Sequence, residues 1–284
     1  KIKRIHIRTG HLVNSVMAGD YQSAFRGSGI EFEEVREYTP GDEVKSIDWN
    51  VTARTGRAFV KTYREERELI LWLLVDMSAS GLFGTAAGKR EVMAETAAIL
   101  AFNAIRNNDK VGALLFTDRV ERHIPPGKGP SHVWRVIHEI LGWQPAGTGT
   151  DLGEALRFHG KVARKRSVSF LISDFLADGF DRPLAVAAGK HDLIGVRVSD
   201  PGEFELPKAG LVPVVDLESG AEWVLDASDP GTRKAFSAAR QRRHRATGET
   251  LRRCGVDTIE VRTDASLAEP LLRYFRTRER RRPR

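Results

Sequence analysis

The sequence predicts an α/β fold built on a doubly wound, mostly parallel sheet, with a β-rich appendage before it and a β-hairpin inserted into it. Three observations carry that expectation. From residue 69 onward, continuous apolar runs at 69–75, 111–116 and 167–173 alternate with amphipathic helical segments, as in parallel strands buried on both faces and joined by right-handed crossovers. Before residue 69 the extended pieces are short and broken by turn residues. Between 211 and 226, two β-rich runs flank Glu218-Ser219-Gly220, which reads as a hairpin.

In order along the chain, 30–38 and 57–63 read as strands, separated by the turn Thr39-Pro40-Gly41-Asp42 and by Thr55-Gly56. They are too few to make a core of their own, so residues 1–67 are expected to form an appendage to the main domain. After the strand at 69–75, a helix over 88–107 aligns Met93, Ala97, Leu100, Ala101 and Ala104 on one stripe. The strand at 111–116 follows, with 120–124 as an edge strand beside it. Beyond Pro125, Pro126, Gly127 and Gly129, one helix starts near Ser131 and buries Val133, Ile137, Ile140 and Leu141. Another starts near Asp151, with Glu154 three residues on as in a capping box. Strands are expected at 167–173 and 192–198, then the hairpin at about 211–226. A long polar helix begins near Ser228 and Pro230 and can be closed by Gly255. A strand at 256–261 and a helix presenting Leu267, Leu271, Tyr274 and Phe275 complete a main domain of residues 68–275.

Composition narrows the function classes. With 41% hydrophobic and 29% charged residues among 284, the chain has ordinary globular proportions. Its longest apolar stretch, 69–75, is far short of the roughly 20 residues a transmembrane helix needs. No secretory signal pattern precedes it. A lone cysteine, Cys254, excludes an internal disulfide and favours a reducing, cytoplasmic setting; near a helix end it reads as a packing residue. The net charge of +7 invites a nucleic-acid reading, yet five of the seven charges belong to the tail 276–284, which holds six Arg and one Glu. That tail reads as a solvated, frayed terminus.

Chemistry concentrates where the first central strand ends, in Asp76-Met77-Ser78-Ala79-Ser80. Loops at the carboxyl ends of strands form the ligand crevice of an open α/β sheet. Thr150, just before a helix, and Asp174, just after the strand at 167–173, occupy equivalent places. Asp76, Ser78 and Ser80 resemble the D-x-S-x-S element of the metal-ion-dependent adhesion site of von Willebrand factor A domains, and Thr150 and Asp174 resemble its separate Thr and Asp. Three noncontiguous elements in this order are specific, where D-x-S-x-S alone is weak. The resemblance implies Mg²⁺, or another hard cation such as Ca²⁺ or Mn²⁺, held by the hydroxyls of Ser78, Ser80 and Thr150, with Asp76 and Asp174 acting mostly through bound waters. It implies also an open coordination position that accepts an acidic side chain of a protein partner.

A second resemblance covers more of the chain. Gly29, Phe32, Arg36-Glu37-Tyr38, Pro40-Gly41-Asp42, Ile47-Asp48-Trp49 and Ala53-Arg54, followed by the adhesion-site strand, are similar to the domain-of-unknown-function 58 family. That resemblance implies a partner or adaptor of a MoxR-type AAA+ ATPase in the maturation or assembly of other proteins. The Arg36, Asp42, Asp48, Trp49 and Arg54 group reads either as a partner surface or as charged pairs stitching a small β unit.

Rival functions have weaker footing. A haloacid-dehalogenase-like phosphatase places a strand-end Asp like Asp76, but it wants a second Asp two residues later, where this chain has Ser78. The stretch Gly84 to Arg90 falls one residue short between its glycines for a phosphate loop and has Arg90 where Ser or Thr would meet magnesium. The eight histidines form no sequence cluster. The expectation is therefore a binding protein and not an enzyme. A nucleic-acid module using the basic segment 240–253 and the tail is the other alternative, but both segments lack interleaved aromatics for base stacking.

Overall fold

A computed structural model of the chain describes residues 15–25, 29–66, 69–85, 87–218 and 220–281. The chain divides into two compact units: Arg26–Leu69, and Lys1–Phe25 together with Ile70–Arg284.

The first described element, α1 (Ser15–Ala24), belongs to the larger unit. Met17, Tyr21, Ala24 and Phe25 are all buried, at the i, i+4, i+7, i+8 spacing of one helical face. Tyr21 meets Phe275 edge-on at 5.6 Å, and Phe25 lies 5.8 Å from Phe170 and 5.7 Å from Phe275. The expectation of a single β-rich appendage over 1–67 is corrected at this point. These side chains fill the main core, so the helix that carries them folds with it.

The smaller unit is built on β1 (Gly29–Glu37) and β2 (Phe59–Glu66), paired antiparallel with Arg36 opposite Val60. Between them lies α2 (Trp49–Thr55), which the sequence reading does not anticipate. Asp48 starts it by accepting the amides of Asn50 and Val51 at 3.0 and 3.3 Å. Gly56, at φ +73°, ends it in the left-handed conformation that glycine adopts without penalty. The charged cluster is spent within this unit. Arg36 donates two bonds to Asp42 at 2.8 and 2.6 Å, and Lys61 pairs with Asp48 at 3.3 Å. Trp49 is 67% exposed, Val44 is 63% exposed, and Arg54 is exposed as well.

The larger unit continues with β3 (Ile70–Asp76), α3 (Lys89–Arg106), β4 (Lys110–Phe116), β5 (Val120–Gly127), α4 (Pro130–Gly142), α5 (Leu152–Val162), β6 (Val168–Ser173), α6 (Asp181–Lys190) and β7 (Asp192–Ser199). The hairpin β8 (Leu211–Val215) and β9 (Glu222–Asp226) follows, then α7 (Pro230–Arg253), β10 (Asp257–Arg262) and α8 (Ala268–Arg281). Six strands form one sheet in the order β10-β7-β6-β3-β4-β5. All neighbours run parallel except β5, which returns antiparallel on β4. This is the doubly wound, mostly parallel fold the sequence predicts, with the hairpin as a separate two-stranded ribbon.

Alternation along β3 divides the core. Trp72 and Leu74 join Leu152, Leu156, Phe180 and Leu184 on the face covered by α5, α6 and α7. Leu71, Leu73 and Val75 therefore turn to the opposite face, toward α1, α3, α4 and α8. No described helix is long and apolar enough to cross a membrane. Cys254 is half-buried and packs against the first of these clusters.

The C-terminal basic segment differs from its expectation as a frayed tail over 276–284. The helix α8 runs to Arg281, and its arginines are built into the fold: Arg276 pairs with Asp20 at 2.9 Å, and Arg278 pairs with Asp192 and, at 3.4 Å, with Asp257. Arg278 also lies 4.8 Å over the Phe25 ring. Partners on α1, β7 and β10 order the segment, whereas residues 282–284 lie outside the described residues.

Candidate metal centre

Asp76 is the last residue of β3. Its carboxylate is 1% exposed. One oxygen accepts the Ser78 amide at 2.9 Å; the other accepts the Ser173 hydroxyl at 2.6 Å, from the end of the neighbouring strand β6. Burial pushes its pKa up to about 6, and the nearby Asp174 carboxylate adds to the rise against the opposing hydrogen bonds. Among the described residues, no Lys or Arg is salt-bridged to it.

After Asp76 the chain bends into a short 3₁₀ turn, Ala79–Leu82. Ser78 is buried, and its hydroxyl oxygen lies 3.0 Å from that of Ser80. Arg90 fixes the loop from below, donating to the carbonyls of Met77 and Ser78 at 2.7 and 2.9 Å. The loop that carries Thr150 is tied to the same turn, because the Ala79 amide donates to the Thr148 carbonyl at 2.8 Å. Gly147 allows that approach. A Cβ there would fall 2.3 Å from the Thr117 hydroxyl and 2.2 Å from the Asp118 carboxylate. Thr150 precedes α5, which Asp151 caps by accepting the Glu154 amide at 2.8 Å. The Thr150 hydroxyl itself donates to Glu218, in the β8–β9 turn, at 2.6 Å.

Asp174 follows β6 and is buried with Asp76. It accepts the Leu176 amide at 3.1 Å and the Lys89 ammonium at 2.5 Å. Lys89 is 1% exposed and also pairs with Glu203. Burial works against its charge, but the two carboxylates outweigh it and raise its pKa. Asp200, fully buried at the end of β7, secures the surrounding loops. It accepts the Thr85 amide at 2.9 Å, the Gly202 amide at 2.8 Å and the Thr263 hydroxyl at 2.5 Å.

The structure thus gathers Asp76, Ser78, Ser80 and Asp174 at the carboxyl end of β3 and β6, with the Thr150 loop fastened to the same turn. The donor set suits a hard cation. Magnesium binds oxygens at about 2.0–2.1 Å in an octahedron, so adjacent ligands lie roughly 2.9 Å apart, close to the Ser78–Ser80 hydroxyl separation of 3.0 Å. Asp76, whose pKa is raised by burial and by the Asp174 charge beside it, also favours a cation. Hydroxyls are indispensable to any such centre, since no group of three or more His, Cys, Asp or Glu able to hold a metal occurs among the described residues.

Lys89, Ser173, Glu203, Asp200 and Glu218 escape the sequence reading. Lys89 lies in the stretch resembling a phosphate loop, but its ammonium turns to Asp174 and Glu203. A first-turn lysine looks like a surface residue, and nothing local betrays its burial. Asp200-Pro201-Gly202-Glu203 did carry a signal: it is a capping box on a 3₁₀ turn. Leu82 and Phe83, which follow the Ser78–Ser80 turn, are 61% and 39% exposed.

Two solved structures are similar to this chain at low identity. BatB from Bacteroides thetaiotaomicron is 16% identical, with a TM-score of 0.48 over 75% of this chain and 99% of that one. A form of proximal thread matrix protein 1 from the mussel byssus, described with a zinc-occupied MIDAS motif, is 16% identical with a TM-score of 0.38 over 46% of this chain and 38% of that one. Among relatives in sequence, the uncharacterized protein Rv1480 of Mycobacterium tuberculosis is 34% identical over 98% of this chain and 89% of its own length. YeaD of Bacillus subtilis is 27% identical over 37% of this chain and 25% of its own. The profile described as "Protein of unknown function DUF58" matches residues 34–247, and the chain belongs to that family.

Proposed function

We propose that this protein is a cation-dependent protein-binding module and not an enzyme, and that it serves as partner or adaptor of a MoxR-type AAA+ ATPase or of that ATPase's client. The observation that carries the reading is the pair of hydroxyls, Ser78 and Ser80, held 3.0 Å apart above the buried Asp76 carboxylate. A bound cation there supplies a Lewis-acidic position for an acidic side chain of the partner. The chain's own residues do the rest. Ser78, Ser80 and Thr150 present neutral oxygens, so little of the positive charge is cancelled directly. Asp76 and Asp174 sit behind them, oriented by Ser173, the Ser78 amide and Lys89.

The surroundings favour gripping over chemistry. The cavity beside Asp174, lined in part by Arg197, Glu203 and His244, has a volume of about 30 Å³, room for a water or two and not for a substrate. The exposed Leu82 and Phe83 border the site on an open rim. Two arginines of the basic C-terminal segment, Arg276 and Arg278, pair with Asp20, Asp192 and Asp257 of the chain itself.

The test is calorimetric binding of the purified AAA+ ATPase from the same source to this protein, in Mg²⁺ and in chelator. Binding in Mg²⁺, lost in chelator and in the Ser78→Ala/Ser80→Ala variant, is expected. Binding that survives both treatments contradicts the reading. The hydroxyl variant is preferable to one lacking Asp174, whose removal would take one of its two carboxylate partners from the buried Lys89 ammonium and so mix a stability change with the binding change.

A further inference from the structure

We propose that Glu218, in the turn of the β8–β9 hairpin, is an in-chain carboxylate ligand of the same cation, occupying the coordination position that a partner's acidic side chain would take. This rests on the cation reading above. Glu218 accepts the Thr150 hydroxyl at 2.6 Å, and its backbone carbonyl lies 3.5 Å from the Thr148 hydroxyl. Its placement is built by the turn. Asp216 accepts the Glu218 amide at 3.0 Å through its side chain and the Gly220 amide at 2.7 Å through its carbonyl, and Gly220 takes φ +73°.

Two features separate this contact from an ordinary surface hydrogen bond. First, the loop that carries Thr150 is fastened to the Ser78–Ser80 turn through the Ala79 amide on the Thr148 carbonyl at 2.8 Å, so Glu218 meets the one hydroxyl that this loop offers to the cation. Second, the hairpin is not held down by buried apolar surface. Leu211, Val215, Trp223 and Val224 are 74%, 46%, 53% and 65% exposed, Val212, Val214 and Leu225 are only half-buried, and a two-stranded ribbon so thinly covered is marginal by itself. Its contact with the strand-end loops is made through Glu218. The hairpin therefore acts as a strap whose acidic tip closes the site, and a partner's carboxylate binds by displacing it.

The experiment titrates Mn²⁺ alone into the full chain, reading affinity by electron paramagnetic resonance and coordinated water by proton relaxation. Wild type is compared with Glu218→Gln and Glu218→Ala, with circular dichroism confirming that each is folded. Both variants should bind Mn²⁺ about tenfold more weakly and with higher relaxivity per bound ion, because water takes the vacated position. Acetate should then lower the relaxivity of the variants and leave wild type unchanged. If wild type and variants bind Mn²⁺ with equal affinity and equal relaxivity, Glu218 is not a ligand and the inference fails while the cation site stands. If wild type binds no Mn²⁺, the cation reading itself fails and this inference with it.

Discussion

His159 and His191 illustrate how far one side chain's surroundings can move its chemistry. They lie at the end of the sheet opposite Asp76, ring centroids 4.6 Å apart, with Ser169 against His159 at 3.2 Å and Ser167 against His191 at 3.0 Å. Burial, followed by the charges of His191 and Lys190, lowers the His159 pKa to about 3. Unfolded, the same imidazole titrates near 6.5. The unfolded state thus takes up the proton first, so stability is complete above about pH 6.5 and is lost as the pH falls toward 3. Urea titrations at about pH 7 and pH 5 should show His159→Leu losing less stability than wild type over that interval, by about 2 kcal/mol. Equal losses would show that the imidazole is not held neutral. At this scale, legibility depended on locality. Asp76, Ser78 and Ser80 form one short motif, and Thr150 and Asp174 sit at boundaries between strands, loops and helices that apolar periodicity reveals. Lys89 and Glu218 reach the same centre from positions whose destinations only tertiary packing decides.

Among the elements, strands were the easiest to read, because β3, β4, β6 and β7 are short, mostly apolar runs buried along nearly their whole length. Three helices escaped: α1 and α2, before residue 69, and the short α6 (Asp181–Lys190) between β6 and β7. Asp48 and Gly56 bracket α2 as cap and stop, a signal masked by the turn residues around it. Met17, Tyr21, Ala24 and Phe25 gave α1 a helical spacing that the β-rich reading of the whole segment overrode. The consequence is testable. Phe25 is 2% exposed and packs on Phe170 and Phe275, so Phe25→Ala should destabilise the main unit by about 3–5 kcal/mol, the cost of emptying an aromatic core site. A change under about 1 kcal/mol in denaturant unfolding would mean that α1 is not part of that core.

For the molecule as a whole, topology explains why the site is where it is. Parallel strands β3 and β6 end side by side, so the residues that leave them share one rim; the antiparallel β5 and the separate hairpin lie outside that arrangement. Net charge was a poorer guide. The basic segment reads as a frayed, solvated terminus, but Asp20, Asp192 and Asp257 draw its Arg276 and Arg278 into a clasp between α1, α8 and the sheet. The account depends most on a single hard cation held by hydroxyl oxygens. Calorimetric titration of Mg²⁺ into the wild-type chain and into Ser78→Ala/Ser80→Ala addresses it directly: one ion per wild-type chain with none in the variant is the predicted result, and absence of binding to wild type, or undiminished binding to the variant, would contradict it.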